Sequence, residues 1–428
     1  MNWGVYLMNK HKENLKIIFS ISLIFIFIST FASCSLLKRS KQEKDFKIGF
    51  EVLREKGFAS LKNQKIAIFL DEKSCDQSGD LILIQLSKAK VDCGLFIIPS
   101  YVSIPTKKEN TETIKLKKII TKIYPNSRVI ELNESKPRPN TEDFAGIKHL
   151  IIDYQITGFG DEAECAFLSQ TLESARENKI PITVLDRPNP LTGLIVTGCL
   201  PDSNHIKKWN CYLPLPHLYG LTTGELVNLL NGYYGIQGDI EIINMVGWKR
   251  LMTFKDTGLL WNSNLPFIGD SKEKIIIYSA LRAIRPAELS FGEGTKFEFR
   301  VFGTPDLDTN SIINKLKSKG QSSLFDFEEV TFKPLEGIFK DTLCKGILIK
   351  LKNQDISQPL PLMIHLIQTI HSQFPQKLTS EKIDNYLKNS SIAQEIISGK
   401  PIESLTATVT SEMNSFKEAR LKYLIYKD

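Results

Sequence analysis

His149-Leu150-Ile151-Ile152-Asp153-Tyr154-Gln155 and Pro181-Ile182-Thr183-Val184-Leu185-Asp186 are two short apolar runs. Between them, Ala163–Asn178 sets Ala166, Phe167, Leu172 and Ala175 at helical spacing. Runs that are apolar on both faces are what a parallel sheet covered by helices requires, and strand, helix, strand in this order reads as one βαβ unit. Moving outward, Lys65–Leu70, Leu95–Pro99 and Arg128–Leu132 repeat the pattern. The N-terminal half is therefore an open, doubly wound α/β sheet. Ligands of such sheets bind beyond the carboxyl ends of the strands. Position alone thus singles out Pro99–Ser103, Asp153–Asp161 and Asp186–Asn189.

From about Asp270 the rhythm changes. Ile275–Ala283, Leu362–Gln373, Glu381–Asn389 and a final Ser411–Tyr426 read as helices, with Phe297–Phe302 and Gly346–Lys352 as strands, which makes a second, α+β domain. The expected division is a leader over 1–33, a tether over 34–47, an N-terminal domain over 48–268 and a C-terminal domain over 269–428. The leader rests on Lys10, Lys12 and Lys16 ahead of apolar Ile17–Thr30, a stretch too short to span a bilayer but suited to a signal peptide. It ends Phe31-Ala32-Ser33-Cys34, which resembles a bacterial lipobox with Phe31 in place of the usual Leu. Cys34 is then the lipidated residue. A membrane reached through that lipid, on the periplasmic or outer-membrane face of a bacterial envelope, is the expected location.

The 428 residues carry a formal charge of +7, which falls to +5 once Lys10, Lys12, Glu13 and Lys16 are removed with the leader. So dilute a surplus, without clustered Lys and Arg, gives no reason to expect nucleic acid. Six cysteines remain beyond Cys34: Cys75, Cys93, Cys165, Cys199, Cys211 and Cys344. An even number in an exported protein permits disulfides, and free buried thiols are the alternative. No CxxC and no His at zinc spacing accompany them, so no metal is expected. No glycine-rich phosphate loop follows the first strand, where the chain reads Asp71-Glu72-Lys73-Ser74-Cys75, and no cofactor is expected either.

The string with the most specific reading is Val184-Leu185-Asp186-Arg187-Pro188-Asn189-Pro190-Leu191-Thr192-Gly193. Two prolines fix a loop that presents a carboxylate, a guanidinium and an amide just beyond a strand. Taken alone, such a turn either carries chemistry or merely pins an Asp–Arg pair. It closely resembles the signature of the bacterial exo-β-N-acetylmuramidases, glycoside hydrolases that release terminal N-acetylmuramic acid from peptidoglycan fragments. Pro214-Leu215-Pro216, Gly220-Leu221-Thr222-Thr223-Gly224-Glu225-Leu226, the Trp248 to Trp261 stretch and the ending through Tyr423-Leu424-Ile425-Tyr426 are similar to further segments of that family. The resemblance extends over residues 47 to 428. It implies a Rossmann-like N-terminal domain, an α+β C-terminal domain and a sugar cleft between them.

The departures fall at positions where the family carries polar groups. Its Pro-Glu-His-Gly becomes Pro99-Ser100-Tyr101-Val102, and its Arg-His becomes Leu218-Tyr219. Its Ser-Glu-Gly-Arg-Gly-Thr becomes Ser290-Phe291-Gly292-Glu293-Gly294-Thr295. Glycoside hydrolysis normally needs two carboxyl groups, and the Glu expected at Ser100 is missing. Asp153 and Asp186 are the replacement pair available, with Asp161, Glu162, Glu225 and Glu293 as other surviving acids. Gln155, Arg187, Asn189, Glu225 and Ser100 are the expected sugar contacts. Tyr101 and Tyr219 either bond or stack on the sugar, or pack in the core. The function implied is action on, or binding of, a peptidoglycan-derived muramyl saccharide. The alternative is an inactive saccharide-binding or structural envelope lipoprotein.

Overall fold

The computed structural model describes residues 46–100, 111–160, 163–261, 269–352 and 359–426. The leader, Cys34, the tether up to Asp45, Tyr101, Asp161 and Glu162 lie outside them. Six parallel strands form the first sheet: β1 (Lys65–Leu70), β2 (Asp92–Pro99), β3 (Arg128–Leu132), β4 (His149–Asp153), β5 (Ile182–Leu185) and β6 (Ile240–Ile243). Their order is β3-β2-β1-β4-β5-β6, the Rossmann arrangement, which reverses direction between β1 and β4. Every residue of β1 after Lys65 is buried, as is all of β5, because helices cover both faces. The helices of this half are α1 (Gly49–Glu55), α2 (Ile82–Lys88), α3 (Thr111–Ile123), α4 (Ala163–Glu177) and α5 (Thr223–Gly232).

The C-terminal half holds an antiparallel sheet of β7 (Val301–Thr304), β8 (Phe325–Phe332) and β9 (Cys344–Leu351), in the order β7-β9-β8. With it go α6 (Lys272–Leu281), α7 (Thr309–Ser318), α8 (Leu360–Gln373), α9 (Ser380–Leu387), α10 (Ser390–Ile397) and α11 (Ile402–Leu421). Alternation along β9 explains how the sheet is held. Ile347 and Ile349 join the main core, whereas Cys344 and Leu348 join a small cluster on the other face with Val301 and Phe332. The main core is continuous, running from Ala67 and Phe69 of β1 to Met413 and Phe416 of α11. Among the described residues no helix is long and apolar enough to cross a membrane. All six cysteines from Cys75 to Cys344 are free and buried, the second of the two states the sequence allowed.

Several boundaries differ from the sequence reading, most of them by one to three residues and three by more. The expected strand Phe297–Phe302 begins only at Val301, because Phe299 turns the chain in the left-handed region at φ 60. The last helix starts at Ile402 rather than Ser411, since Leu405, Val409, Met413 and Phe416 continue the buried stripe backward. It also stops at Leu421, and residues beyond it are used differently.

Candidate functional site

The reversal point between β1 and β4 brings the ends of these strands together, with Leu70 opposite Asp153. Asp153 closes β4 with no exposure and receives a two-point ion pair from Arg187, Nε to Oδ1 at 2.6 Å and Nη2 to Oδ2 at 2.8 Å. Arg187 is itself 1% exposed and also donates to the Cys75 carbonyl at 2.9 Å. A guanidinium taken this far from water is tolerated because the fork matches the carboxylate and a further acceptor takes a spare N–H. Burial works against the Arg187 charge, but Asp153 more than offsets it and holds the pKa above its usual value.

Asp186 stands beside this pair, equally buried. Its Oδ1 accepts from the amides of Arg187 (2.8 Å) and Gly224 (2.6 Å), and its Oδ2 from the hydroxyls of Thr222 (3.0 Å) and Tyr426 (2.5 Å). Burial pushes its carboxyl up to about 7, with the Glu225 charge adding to the rise and the donors from Tyr426, Gly224 and Thr222 acting against it. The chain comes so close here that a Cβ on Gly49 would lie 2.4 Å from the Asp186 amide nitrogen and from the Ile243 carbonyl oxygen.

The remaining members of the signature turn are equally engaged with their neighbours. Asn189 donates to the Leu221 carbonyl at 2.9 Å and accepts from the Leu191 amide at 2.8 Å. Gln155 donates to the carbonyls of Ile156 and Pro188 at 3.0 and 2.9 Å, which ties β4 to the turn. Its Oε1 is buried and has no hydrogen-bond partner among the described residues. Gly158 lies within this loop at φ +90, where a Cβ would meet Asn189 Oδ1 at 2.8 Å.

Glu225 lies elsewhere in role than among sugar contacts. Thr222 and Glu225 form a capping box at the start of α5. Glu225 also pairs with Arg250 and accepts from the amides of Ile425 and Tyr426. Its two oxygens are thereby taken by Arg250 and by backbone amides, so it anchors backbone. Tyr219 is fully buried in the main core, so packing is the role its position gives it. Ser100 is half-buried beyond β2, its amide held by the Leu132 carbonyl at 2.8 Å. Its hydroxyl reaches Glu131, and together with Lys117 it keeps that carboxyl below the usual range despite burial.

Sequence reasoning passed over four groups that the fold assembles here. Lys73 pairs with Asp71 just past β1, both buried, and lies 5.4 Å from the centre of the Tyr154 ring. Burial opposes the Lys73 charge, but Asp71, Glu72 and Glu164 hold it protonated. Glu164 accepts from the amide and hydroxyl of Thr157 (2.7 and 2.6 Å) and from the Tyr154 hydroxyl (3.2 Å). From the C-terminal half, Arg282 sets its guanidinium 3.8 Å over the Phe159 ring. For Asp71, Lys73 and Glu164 the available signal was position just after β1 or β4, whereas Arg282, much further along the chain, carried none. Among the described residues no group of three or more metal-ligating side chains gathers.

This scaffold has counterparts. Residues 66–272 match the N-terminal model of the exo-β-N-acetylmuramidase NamZ, and residues 276–426 match its C-terminal model. The chain belongs to the exo-β-N-acetylmuramidase family. Peptidoglycan β-N-acetylmuramidase NamZ of Bacillus subtilis (strain 168) is 29% identical over 304 residues, which span 70% of this chain and 72% of that protein. A crystal structure of a DUF1343 family protein from Bacteroides fragilis NCTC 9343 superposes with a TM-score of 0.73 at 22% identity, covering 90% of this chain and 99% of its own. A second protein so described from the same organism gives 0.63 at 20% identity, again with 90% and 99% covered. At these identities the two structures speak for the fold, a Rossmann-like domain followed by an α+β domain.

Proposed function

We propose that this chain is an envelope lipoprotein that binds the terminal N-acetylmuramic acid of peptidoglycan fragments beyond the ends of β1, β4 and β5, and that it does so without cleaving the glycosidic bond. Family membership and the peptidoglycan-directed relative in B. subtilis support the substrate class. One observation carries the binding mode. The Asp153, Glu164 and Asp186 carboxylates are spent on donors and that of Asp71 on the Lys73 ammonium, while the Oε1 of Gln155, two residues past Asp153, is buried with its acceptor unused. A buried acceptor without a partner costs about 1–3 kcal/mol, a cost that a ligand hydroxyl or amide removes. Hydrolysis, by contrast, needs one carboxyl free to give a proton and another free to take one or to attack. Ser100 occupies the position where the family carries a glutamate.

In this reading Cys34 carries the lipid, residues 1–33 are removed, and the body is held at the envelope surface by a lysine-rich tether. Catalysis by Asp153 and Asp186 is the second reading. It draws on the Asp186 carboxyl, pushed by burial to about 7, in the range suited to a general acid at neutral pH. Calorimetry with N-acetylmuramic acid, run beside release from a chromogenic muramide, separates the two. Heat of binding with no release at any pH between about 4 and 9 supports the binder. Release that Asp186→Asn abolishes in a folded protein supports the hydrolase. Neither signal leaves a structural protein.

A further inference from the structure

Beyond Leu421 the chain leaves α11 and returns to the N-terminal half. Arg420 donates to the Gly220 carbonyl at 2.7 Å, and the amides of Ile425 and Tyr426 reach Glu225 Oε1 at 2.9 and 3.2 Å. The Tyr426 carbonyl accepts from Arg250 Nε at 3.1 Å, and its ring meets Trp248 edge-on with centroids 5.1 Å apart. The phenol goes further than docking requires. It accepts from the Met245 amide at 2.7 Å and donates to Asp186 Oδ2 at 2.5 Å. A hydroxyl held from both sides in this way has one orientation, and it is aimed at the carboxylate whose other oxygen fixes the Arg187 amide.

We propose that Tyr426 is a positioning residue for the ligand site: by holding Asp186 it fixes the backbone of Arg187, and through it the Arg187–Asp153 pair at the strand ends. The ligand half of this inference rests on the binding function above, whereas the Asp186 half stands without it. The groups around Asp186 bear on the test. Arg187 from its own turn is neutralised by Asp153 of β4, and Glu225 of α5 by Arg250 from the loop after β6. From α1 only the Gly49 backbone approaches, because Glu51 is turned to the amides of Ile48 and Gln77. Tyr426 is the group the tail contributes.

Each donor to Asp186 favours its ionised form, so Tyr426→Phe makes the carboxyl titrate at higher pH. The folded-state value is already raised above the unfolded one, so Asp186 favours folding fully below about pH 4 and loses that contribution as pH rises to about 7. The variant extends the loss upward. Its melting temperature relative to the unaltered protein should therefore drop further at pH 8 than at pH 5, and its affinity for N-acetylmuramic acid at pH 8 should fall about tenfold. Trp248→Phe trims the same tail contact without touching Asp186, and its penalty should be equal at the two pH values. A Tyr426→Phe penalty as flat as that of Trp248→Phe overturns the inference, as does unchanged affinity in a variant that has lost stability. If the unaltered protein binds no muramyl sugar, the binding function falls, and the pH comparison alone decides the control of Asp186. Should Tyr426→Phe not fold, amide exchange at Ile425 and Tyr426 in the unaltered chain decides. Protection that changes with a midpoint near pH 7 supports the inference, and protection independent of pH overturns it.

Discussion

The turn Asp186–Asn189 and the end of β2 at Pro99–Ser100 lie at the same edge of one sheet, yet they differ in burial and in how their side chains are used. The turn keeps the family residues and is buried, with its side chains bonded to backbone and to one another. The β2 end carries Ser100, half-buried, where the sequence resemblance implies a glutamate. A residue whose atoms are all engaged can be changed only at the expense of the fold, whereas a residue at the rim can be changed at the expense of chemistry alone. The most recognisable motif of the sequence is thus a structural knot, its side chains spent on holding the strand ends together.

Arg187→Met should break that contrast most severely, because it leaves Asp153 charged and alone in a buried setting. A loss of about 3–5 kcal/mol is expected in chemical denaturation, and a loss below about 1 would show that the pair is not what holds the turn. Next comes Thr222→Ala, which removes both the α5 cap and one donor to Asp186. About 1–2 kcal/mol is expected, with the melting temperature falling accordingly. Smallest in stability is Ser100→Glu at the rim, where a loss of about 0.5–1 kcal/mol is expected because the new carboxylate replaces a donor to Glu131. Its interest is chemical. If the rim alone separates this protein from a hydrolase, the variant should begin to release sugar from a chromogenic muramide; a folded variant that binds but stays silent shows that further lost groups, such as the imidazole replaced at Tyr101, are needed as well.

How much of this could be read from the chain depended on how local the signal was. The runs of β1 and β3 are recovered with the same limits, and β4 and β5 to within two residues; for β1, β4 and β5 continuous apolar stretches bounded by polar turns leave little choice. The short Ile240–Ile243 strand was passed over, since four residues carry almost no periodicity. Phe325–Phe332 was missed although Phe325 and Phe327 alternate with exposed Asp326 and Glu328, because a second exposed acid, Glu329, breaks the alternation. At the site, the motif fixed which residues gather but not which way they are used. Nothing near Glu225 in sequence announces that its partners are Arg250, Ile425 and Tyr426.

The long reach of those contacts has a consequence for how the protein matures. Asp186 and Tyr426 are 240 residues apart, and Glu225 meets Ile425 across 200. Closing such loops is entropically costly and slow relative to pairing neighbouring strands. The parallel sheet can assemble while the later part of the chain is still emerging, but its signature turn stays without its final hydrogen bond until residue 426 arrives. The sheet and its signature turn can thus form before Asp186 has all of its donors, and the contact with Tyr426 completes the motif only when chain 240 residues further on is in place.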